Sequence, residues 1–338
     1  MIKFFRKIRK NLLSEGKTGK YLKYAFGEII LVVIGILIAL QINTWNEQRK
    51  NEIKIVSLFK EVQTDLLKDL SNVKNAISTY KFIDSLAYLV LNDKLVRDDY
   101  KTLRAPYLFQ LTTYFEDFQF INNGYENLKL NVNNIPPNHK PAFDSLAVLY
   151  EQTQRILVDE NNRIGDAVYE NIKYLSENKE WFSSNYSSSK SNDTIIDYFL
   201  NDPFYKNRVK EFQLLIDDIY KKYQIDATII YEHLDVITKS SKSIPNHLKN
   251  YIVDSENLKQ YIGVYKQKDS TQKNIIEVNQ KGFLYNNDQY NLIHEGNDTF
   301  SFEDSYNRSV TFQIDDNGEF NGLNIHFYDK KTEYIKSD

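Results

Sequence analysis

The sequence of 338 residues contains no cysteine, and this absence excludes several kinds of site. A chain without thiols has no disulfide framework, no thiolate zinc site, no iron–sulfur cluster and no cysteine nucleophile. Glycine and proline are also scarce, with 11 and 6 residues, and neither occurs between Gly35 and Pro106. So long a stretch without a helix-breaking residue favours one continuous helix.

Motifs typical of enzymes and of metal sites are missing as well. The five histidines lack a second histidine at metal-binding spacing, and there is no glycine-rich phosphate loop and no Gly-x-Ser-x-Gly motif. The run Asp315–Gly318 lacks charged residues where a calcium loop has its first and last ligands, so it predicts an Asn-Gly hairpin turn. We therefore predict no catalytic residues, no metal site and no cofactor.

Charge is balanced over the chain but unevenly distributed along it. The 43 Lys and Arg residues against 46 Asp and Glu give a formal net charge of -3. Residues 1–25 hold eight basic residues and one acidic residue, so the remainder is acidic. The balanced total gives no reason to expect nucleic-acid binding, and the uneven distribution joins a small basic head to a larger acidic body.

Between head and body lies an uncharged apolar run, Ile29–Leu40. With its flanks, Tyr24–Trp45 would be about 33 Å long as a helix, which matches a hydrocarbon core of about 30 Å. Tyr24 and Trp45 would then be membrane anchors at the two interfaces. Bulky Leu37 disrupts the small-residue pattern of a cleavage site, so we predict an uncleaved signal-anchor helix in contact with the lipid bilayer.

The distribution of basic residues predicts the orientation of this helix. Eight Lys and Arg residues precede the span, whereas the nearest three that follow it are Arg49, Lys50 and Lys54. The positive-inside bias places the N-terminus in the cytoplasm and the body outside. We predict four regions: a basic cytoplasmic segment 1–23, a transmembrane helix 24–45, an extracytoplasmic helical bundle with a stalk helix 46–245, and a small antiparallel β-domain 256–338.

Polar and small residues within the span are candidate contact residues. Glu28, Gln41 and Asn43 are candidate interfacial or intramembrane polar residues. Glu28 is either a functional intramembrane carboxylate or a residue that reaches the interface. Gly35 and Ala39 form a small-xxx-small pair that allows two helices to approach closely, and this predicts a homo-oligomer.

The N-terminal run resembles a known family. The segment GEIILVVIGILIALQINTWNEQRK, preceded by MIKFFRKIRKNLLSEGKTGKYLKYAF, is similar to the N-terminus of an uncharacterised family of single-pass membrane proteins of Bacteroidetes-type bacteria. The resemblance is close over residues 1–55. It implies a Gram-negative inner membrane with the body in the periplasm, and it implies no activity and no functional residues.

Beyond the span, apolar residues recur at steps of three and four. This period predicts a stalk helix to about Leu91, a short helix from Pro106 to about Phe118, and a turn or helix end at Asn122–Gly124. It then predicts helices over Pro141–Leu175, Thr194–Leu200 and Pro203–Thr238. Three long amphipathic helices favour an antiparallel bundle.

After Pro245 the period changes to alternation, which predicts short strands. The expected strands are Tyr261–Tyr265, Ile275–Val278, Gly282–Tyr285, Tyr290–Ile293, Thr299–Phe302, Ser309–Ile314, Gly322–Tyr328 and Thr332–Ile335. We expect a small antiparallel barrel or a strongly curled sheet, and so an α+β protein.

The tail also carries a resemblance. The runs LKQYIGVY (258–265) and FQIDDNGEFNGL (312–323) are similar to the lipocalin-like β-module appended to penicillin-binding-type serine hydrolases. The catalytic motifs of those hydrolases, Ser-x-x-Lys and Lys-Thr-Gly, are absent. The resemblance implies a β-module and no hydrolase.

Three functional hypotheses follow from this organisation. The first is a membrane-anchored envelope protein with a periplasmic binding or interaction role. The second is a periplasmic sensor or accessory subunit that works through a membrane-protein partner, because a helix continuous with the span can transmit movement. The third is an envelope-polymer enzyme that uses carboxylates distant in sequence, for which two carboxylates facing each other in a deep cleft would be evidence.

Self-association through the span is the first testable prediction. In a membrane two-hybrid assay on residues 20–49, the segment should associate, and Gly35→Ile should reduce the signal because its side chain separates the helices. A monomeric segment whose signal Gly35→Ile leaves unchanged would end the hypothesis.

Overall fold

Helices and an antiparallel β-barrel make up the chain in the structure, a computed structural model. It describes residues 18–102, 104–187, 192–216, 220–239, 255–278, 284–287 and 289–337. Two compact units are present: Met1–Ser57 with Asn131–Pro136, and Leu58–Leu130 with Pro137–Asp338. Most of the predicted basic segment 1–23 lies outside the described residues.

A single helix of 74 residues, α1, extends from Thr18 to Leu91. The predicted stalk helix and its end are therefore confirmed, and the lack of glycine and proline after Gly35 explains why it does not break. In the first unit, Asn51 Nδ2 donates to Asn134 O at 2.6 Å and Lys54 Nζ donates to Asn131 Oδ1 at 2.7 Å. These bonds hold the segment Asn131–Pro136 on α1.

The remaining helices are mostly short. They are α2 (Ala105–Phe109), α3 (Asn123–Lys129), α4 (Lys140–Val148), α5 (Gln154–Asn178), α6 (Asp193–Asn201), α7 (Pro203–Ile216), α8 (Lys221–Thr238) and α9 (Ser255–Leu258). A π-helical turn, Leu149–Thr153, joins α4 to α5. Single 3₁₀ turns occupy Arg97–Lys101, Val132–Asn134, Pro137–His139, Glu180–Ser183 and Lys259–Tyr261. The predicted helix over Thr194–Leu200 is confirmed as α6. The predicted long helix over Pro203–Thr238 is present as two helices, α7 and α8, and residues 217–219 between them lie outside the described residues.

Two local predictions are wrong, and both concern the segment after α2. Helix α2 ends at Phe109 and does not reach Phe118. Asn122–Gly124, predicted to be a turn or a helix end, lies at the start of α3, with Asn122 as its N-cap. The cause is tertiary: side chains of α1 bind the backbone of this segment, so that Tyr80 contacts Glu116 N and O and Asp69 accepts from Ile121 N. Such bonds replace the helical ones that the local pattern favoured.

In the second unit α1 and α8 run antiparallel. Gln63 bonds to Asp235 and Thr238. Farther along α1, Asp69 accepts from Tyr223 Oη, which lies nearer the start of α8, at 3.1 Å. The partner number falls as the α1 number rises, which fixes opposite directions. The predicted antiparallel arrangement of long helices is thus present.

Eight strands form a closed antiparallel barrel in simple sequence order. They are β1 (Gly263–Gln267), β2 (Lys273–Val278), β3 (Leu284–Asn286), β4 (Tyr290–Gly296), β5 (Thr299–Phe302), β6 (Arg308–Ile314), β7 (Phe320–Phe327) and β8 (Lys330–Ser337). Pairing of β1 with β8 closes the barrel, with Val264 opposite Ser337. Closure leaves no free sheet edge, and it confirms the predicted α+β class.

Aromatic and aliphatic side chains fill the barrel. The buried set is Leu258, Tyr261, Tyr265, Ile276, Leu284, Leu292, Phe300, Phe302, Val310, Phe312, Leu323, Ile325 and Tyr334. The predicted hairpin turn after β6 is confirmed: Gly318 has φ +85, and Asp315 Oδ1 accepts from Asn317 N and Glu319 N. An eight-stranded barrel is just wide enough to be filled in this way.

The close approach of α3 to α1 generates the second prediction. A Cβ at Gly124 would lie 2.6 Å from Val62 N, which is backbone and cannot move aside. We expect Gly124→Ala to lower the free energy of unfolding by at least about 2 kcal/mol. Urea unfolding of the full chain in detergent micelles, followed by Trp181 fluorescence in a Trp45→Phe background, measures it.

The matched control is Gly165→Ala. Gly165 is buried in α5, and its added methyl would meet only the far end of the Phe115 ring at 3.3 Å. Because alanine favours helix over glycine, we expect this variant to be near neutral. Equal destabilisation by both variants would show that the close approach of the α1 and α3 backbones does not cause the loss of stability in Gly124→Ala.

Candidate functional site at the junction of helices and barrel

A residue in a strained conformation joins the barrel to α1. Tyr328, in the turn between β7 and β8, has φ +53, which is uncommon for a bulky residue. Its ring stacks on Tyr88 of α1 with centroids 3.9 Å apart and planes at 7°. Next to it, Asp329 accepts from Tyr88 Oη at 2.5 Å and pairs with Lys94. These contacts offset the strain and direct the turn against α1.

Asp84 on α1 is the acceptor at the centre of this contact. It is 7% exposed and accepts from Tyr328 Oη at 2.7 Å and from Asn307 Nδ2 at 2.6 Å. Gln213 Nε2 of α7 donates to its other oxygen at 2.8 Å. A carboxylate removed from water needs such donors, so Asp84 joins two helices and two barrel loops at one point.

A buried lysine makes a second connection. Lys221, at the start of α8, is 5% exposed, and its Nζ donates to Phe302 O at 2.7 Å and to Ser305 O. Phe302 ends β5 and Ser305 lies in the loop that follows, so an ammonium from the helical part binds barrel backbone. Ile225 of α8 also packs against Ile293 of β4.

Between these connections lies a polar cavity of about 140 Å³. Its polar lining comes from three elements: Lys74 and Lys81 of α1, Lys221 and Gln224 of α8, and Glu295 and Ser301 of the barrel. Lys74 and Lys81 lie on the same face of α1 because they are seven residues, or about two helical turns, apart. We define this space as the junction cavity.

Two apolar grooves lie elsewhere on the second unit. One, of about 530 Å³, is lined by Phe82, Tyr107 and Tyr114, which are partly exposed. The other, of about 640 Å³, lies beside the π-helical turn and includes Val148 and Ile156. Both offer apolar surface to solvent, as binding grooves do.

A pair of carboxylates on α1 is buried away from these cavities. Asp69 is 0% exposed and accepts from Ile121 N at 3.2 Å and from Tyr223 Oη at 3.1 Å. Asp65 accepts from Gly124 N at 2.9 Å. The carboxylates hold the start of α3 on α1 and do not line the junction cavity or the two grooves.

Burial raises the pKa of Asp69 to about 7, and nearby Asp65 adds to the rise. The hydrogen bonds from Ile121 N and Tyr223 and the charge of Lys68 oppose the effect. Burial dominates because an anion in a dry site loses its hydration. No group of three or more His, Asp or Glu side chains within the described ranges is placed to hold a metal ion.

The residues predicted from sequence as contact residues lie in the first unit. Gly35 has open space around it, and Ala39, Gln41, Asn43 and Trp45 are exposed. The other residues are placed as follows: Glu28 has intermediate exposure, and the side chain of Tyr24 lies outside the described residues.

Sequence reasoning missed Asp84, Lys221 and Tyr328. A signal existed for Asp84, because it falls four residues after buried Tyr80 on the core face of α1. A charged residue on an apolar face needs a partner, which marks it as a candidate. Nothing in the sequence indicated which loops would supply the partners.

The fold defines a class of protein in which a long helix with an apolar segment near its start is followed by shorter helices and a C-terminal eight-stranded barrel. Residues 28–139 match a family of unknown function (DUF6090), so this part of the chain is similar to that family. The match includes Asp65, Asp69, Asp84 and Gly124 and ends before the barrel. A search of curated proteins finds no match, and a search of solved structures finds none either.

The raised pKa of Asp69 generates the third prediction. Its ordinary value is 3.8, so between about pH 4 and about pH 7 the folded state keeps a proton that the unfolded state has lost. The free energy of unfolding should fall as pH rises through this window, by at most about 4 kcal/mol. Asp69→Asn should flatten this dependence in urea unfolding.

The control is Asp98→Asn, because the Asp98 side chain is 90% exposed. Its pH profile should match that of the parent chain. An Asp69→Asn profile as steep as the parent profile would show that Asp69 is not the titrating group.

Proposed function

We propose that the chain is a single-pass protein of a Gram-negative inner membrane whose body binds a ligand or partner in the periplasm. The observation that carries the proposal is the solvent exposure of the apolar segment Ile29–Trp45. Every side chain in this range is exposed, and an 18-residue window of the helix has a mean hydropathy of 2.5. By length and composition this helix could cross a membrane, and it is the one such helix within the described residues.

A lipid environment would remove this apolar surface from water. Exposed apolar area costs about 25 cal/mol per Å², so a run of this length is strongly unfavourable in water. The eight basic residues before the span support a cytoplasmic N-terminus. Lipid contact along Ile29–Trp45 and self-association through Gly35 and Ala39 belong to the same proposal.

The body supports a binding role in two ways. The junction cavity and the two apolar grooves offer concave surface, which ligand and partner sites require. The barrel, which we propose to be a lipocalin-like module, has its interior filled by its own side chains. We therefore propose that the barrel contributes one wall of the junction cavity and does not bind a ligand in its interior.

A sensor that works through a membrane-protein partner is the second candidate. The observation that favours it is α1, because one helix contains both the apolar run and Asp84. A change at the junction cavity would then act on residues of the same helix that carries the membrane segment.

The absence of cysteine provides a clean test of the orientation, and this is the fourth prediction. Asp316→Cys places a thiol on an exposed turn of the barrel, and Lys10→Cys places one in the basic head. In intact spheroplasts a membrane-impermeant maleimide should label Asp316→Cys at once and Lys10→Cys only after permeabilisation. The parent chain is the unlabelled control.

The reverse labelling pattern would place the body in the cytoplasm and contradict the proposal. Labelling of both variants in intact spheroplasts would also contradict it, because the chain would then lie wholly outside the membrane barrier.

A further inference from the structure

Two lysines of α1 face the junction cavity without a partner. Lys74 and Lys81 line the cavity, and their ammonium groups make no hydrogen bond and no ion pair with any residue in the described part of the chain. Other lysines of the second unit, such as Lys129 and Lys179, pair with carboxylates. Two unpaired ammonium groups on one helix face repel each other and attract an anion.

A buried amide donor on α8 also lacks a partner. Gln224 is 3% exposed and lines the junction cavity, and its Nε2 has no hydrogen-bond partner among the described residues. A buried donor left without an acceptor is costly, and most are satisfied in folded proteins. A ligand oxygen in the cavity would supply the missing acceptor.

The barrel wall of the cavity presents acceptors. Ser301 Oγ donates to Glu295 Oε1 at 2.7 Å, so its hydrogen is used and its lone pairs remain. The carboxylate of Glu295 keeps further acceptor positions. An anion that fits both walls must therefore accept from Lys74, Lys81 and Gln224 and donate an O–H to Glu295 or Ser301.

We propose that the junction cavity binds a phosphate group that carries a hydroxyl hydrogen, either inorganic phosphate or the singly protonated form of a phosphate monoester. Such a group has several acceptor oxygens for donors on different walls and one O–H for the acceptor wall. A cavity of about 140 Å³ holds one such group. Sulfate has the same shape but no proton at neutral pH, so Glu295 disfavours it. The proposal rests on the proposed function of the body as a binding module.

The test is titration of the full chain in maltoside micelles with inorganic phosphate, by calorimetry and ³¹P NMR. The parent chain should bind with a stoichiometry of one, and Lys74→Ala and Lys81→Ala should each weaken binding about tenfold. Lys60→Ala is the matched control, because Lys60 is an exposed residue of the same helix that does not line the cavity. It should bind as the parent does.

Gln224→Met distinguishes a binding role from a structural one. The substitution removes the unpartnered donor and keeps the size of the side chain, so the thermal midpoint without ligand should stay the same or rise. Phosphate binding should weaken about tenfold. A lower midpoint with unchanged binding would assign Gln224 to folding and overturn its part in the site.

Two competitors identify the ligand chemistry. Sulfate should compete at least tenfold less well than phosphate in the parent chain and about equally in Glu295→Gln, where the acceptor charge is gone. Competition by glycerol 3-phosphate is measured at about pH 6, where about half of it keeps the phosphate proton; competition would assign the site to monoesters, and its failure would assign it to free phosphate.

Lack of phosphate binding to the parent chain at about 10 mM, or equal binding by the parent and both lysine variants, would overturn the proposal. The second of these results would indicate an adventitious ion only. Either failure is separate from failure of the proposed function, because the maleimide labelling reports membrane orientation whatever the cavity binds.

Discussion

Two charged side chains that have lost their water hold the helices and the barrel together. Asp84 accepts from donors on α7 and on two barrel loops, and Lys221 donates to carbonyl groups at the end of β5 and in the loop that follows. Substituting a residue that bonds to Asp84, or displacing the carbonyl groups that Lys221 binds, would leave a buried charge without its partner, which costs far more than a surface ion pair gains. The junction cavity exists because these contacts fix α1, α8 and the barrel as its walls.

The same helix that contributes Asp84 contains, near its start, a segment whose apolar side chains are all exposed. Residues 29–45 expose apolar side chains along their whole length, whereas α1 from Phe59 onward buries its apolar face. One helix therefore carries two hydrophobic surfaces. We propose that lipid covers the first, and the rest of the protein covers the second. The helix α1 therefore contains both this exposed apolar segment and residues of the wall of the junction cavity.

Periodicity was enough to predict most of the fold. Steps of three and four residues gave the end of α1 at Leu91, and alternation gave all eight strands. Where prediction failed, between Phe109 and Gly124, side chains distant in sequence replaced local backbone bonds, and no local pattern records this. The candidate site escaped prediction for the same reason. No sequence pattern marks Lys221 or Tyr328, because their contacts form only when the barrel loops pack against the helices.

Hydrogen exchange of the full chain in micelles tests most directly whether helices and barrel form one body. If Asp84 and Lys221 join them, amides of α8 and of β5–β7 should open with similar free energies, and Asp84→Ala should lower protection in both regions together. A barrel that exchanges independently of α8, and that keeps its protection in Asp84→Ala, would contradict the account.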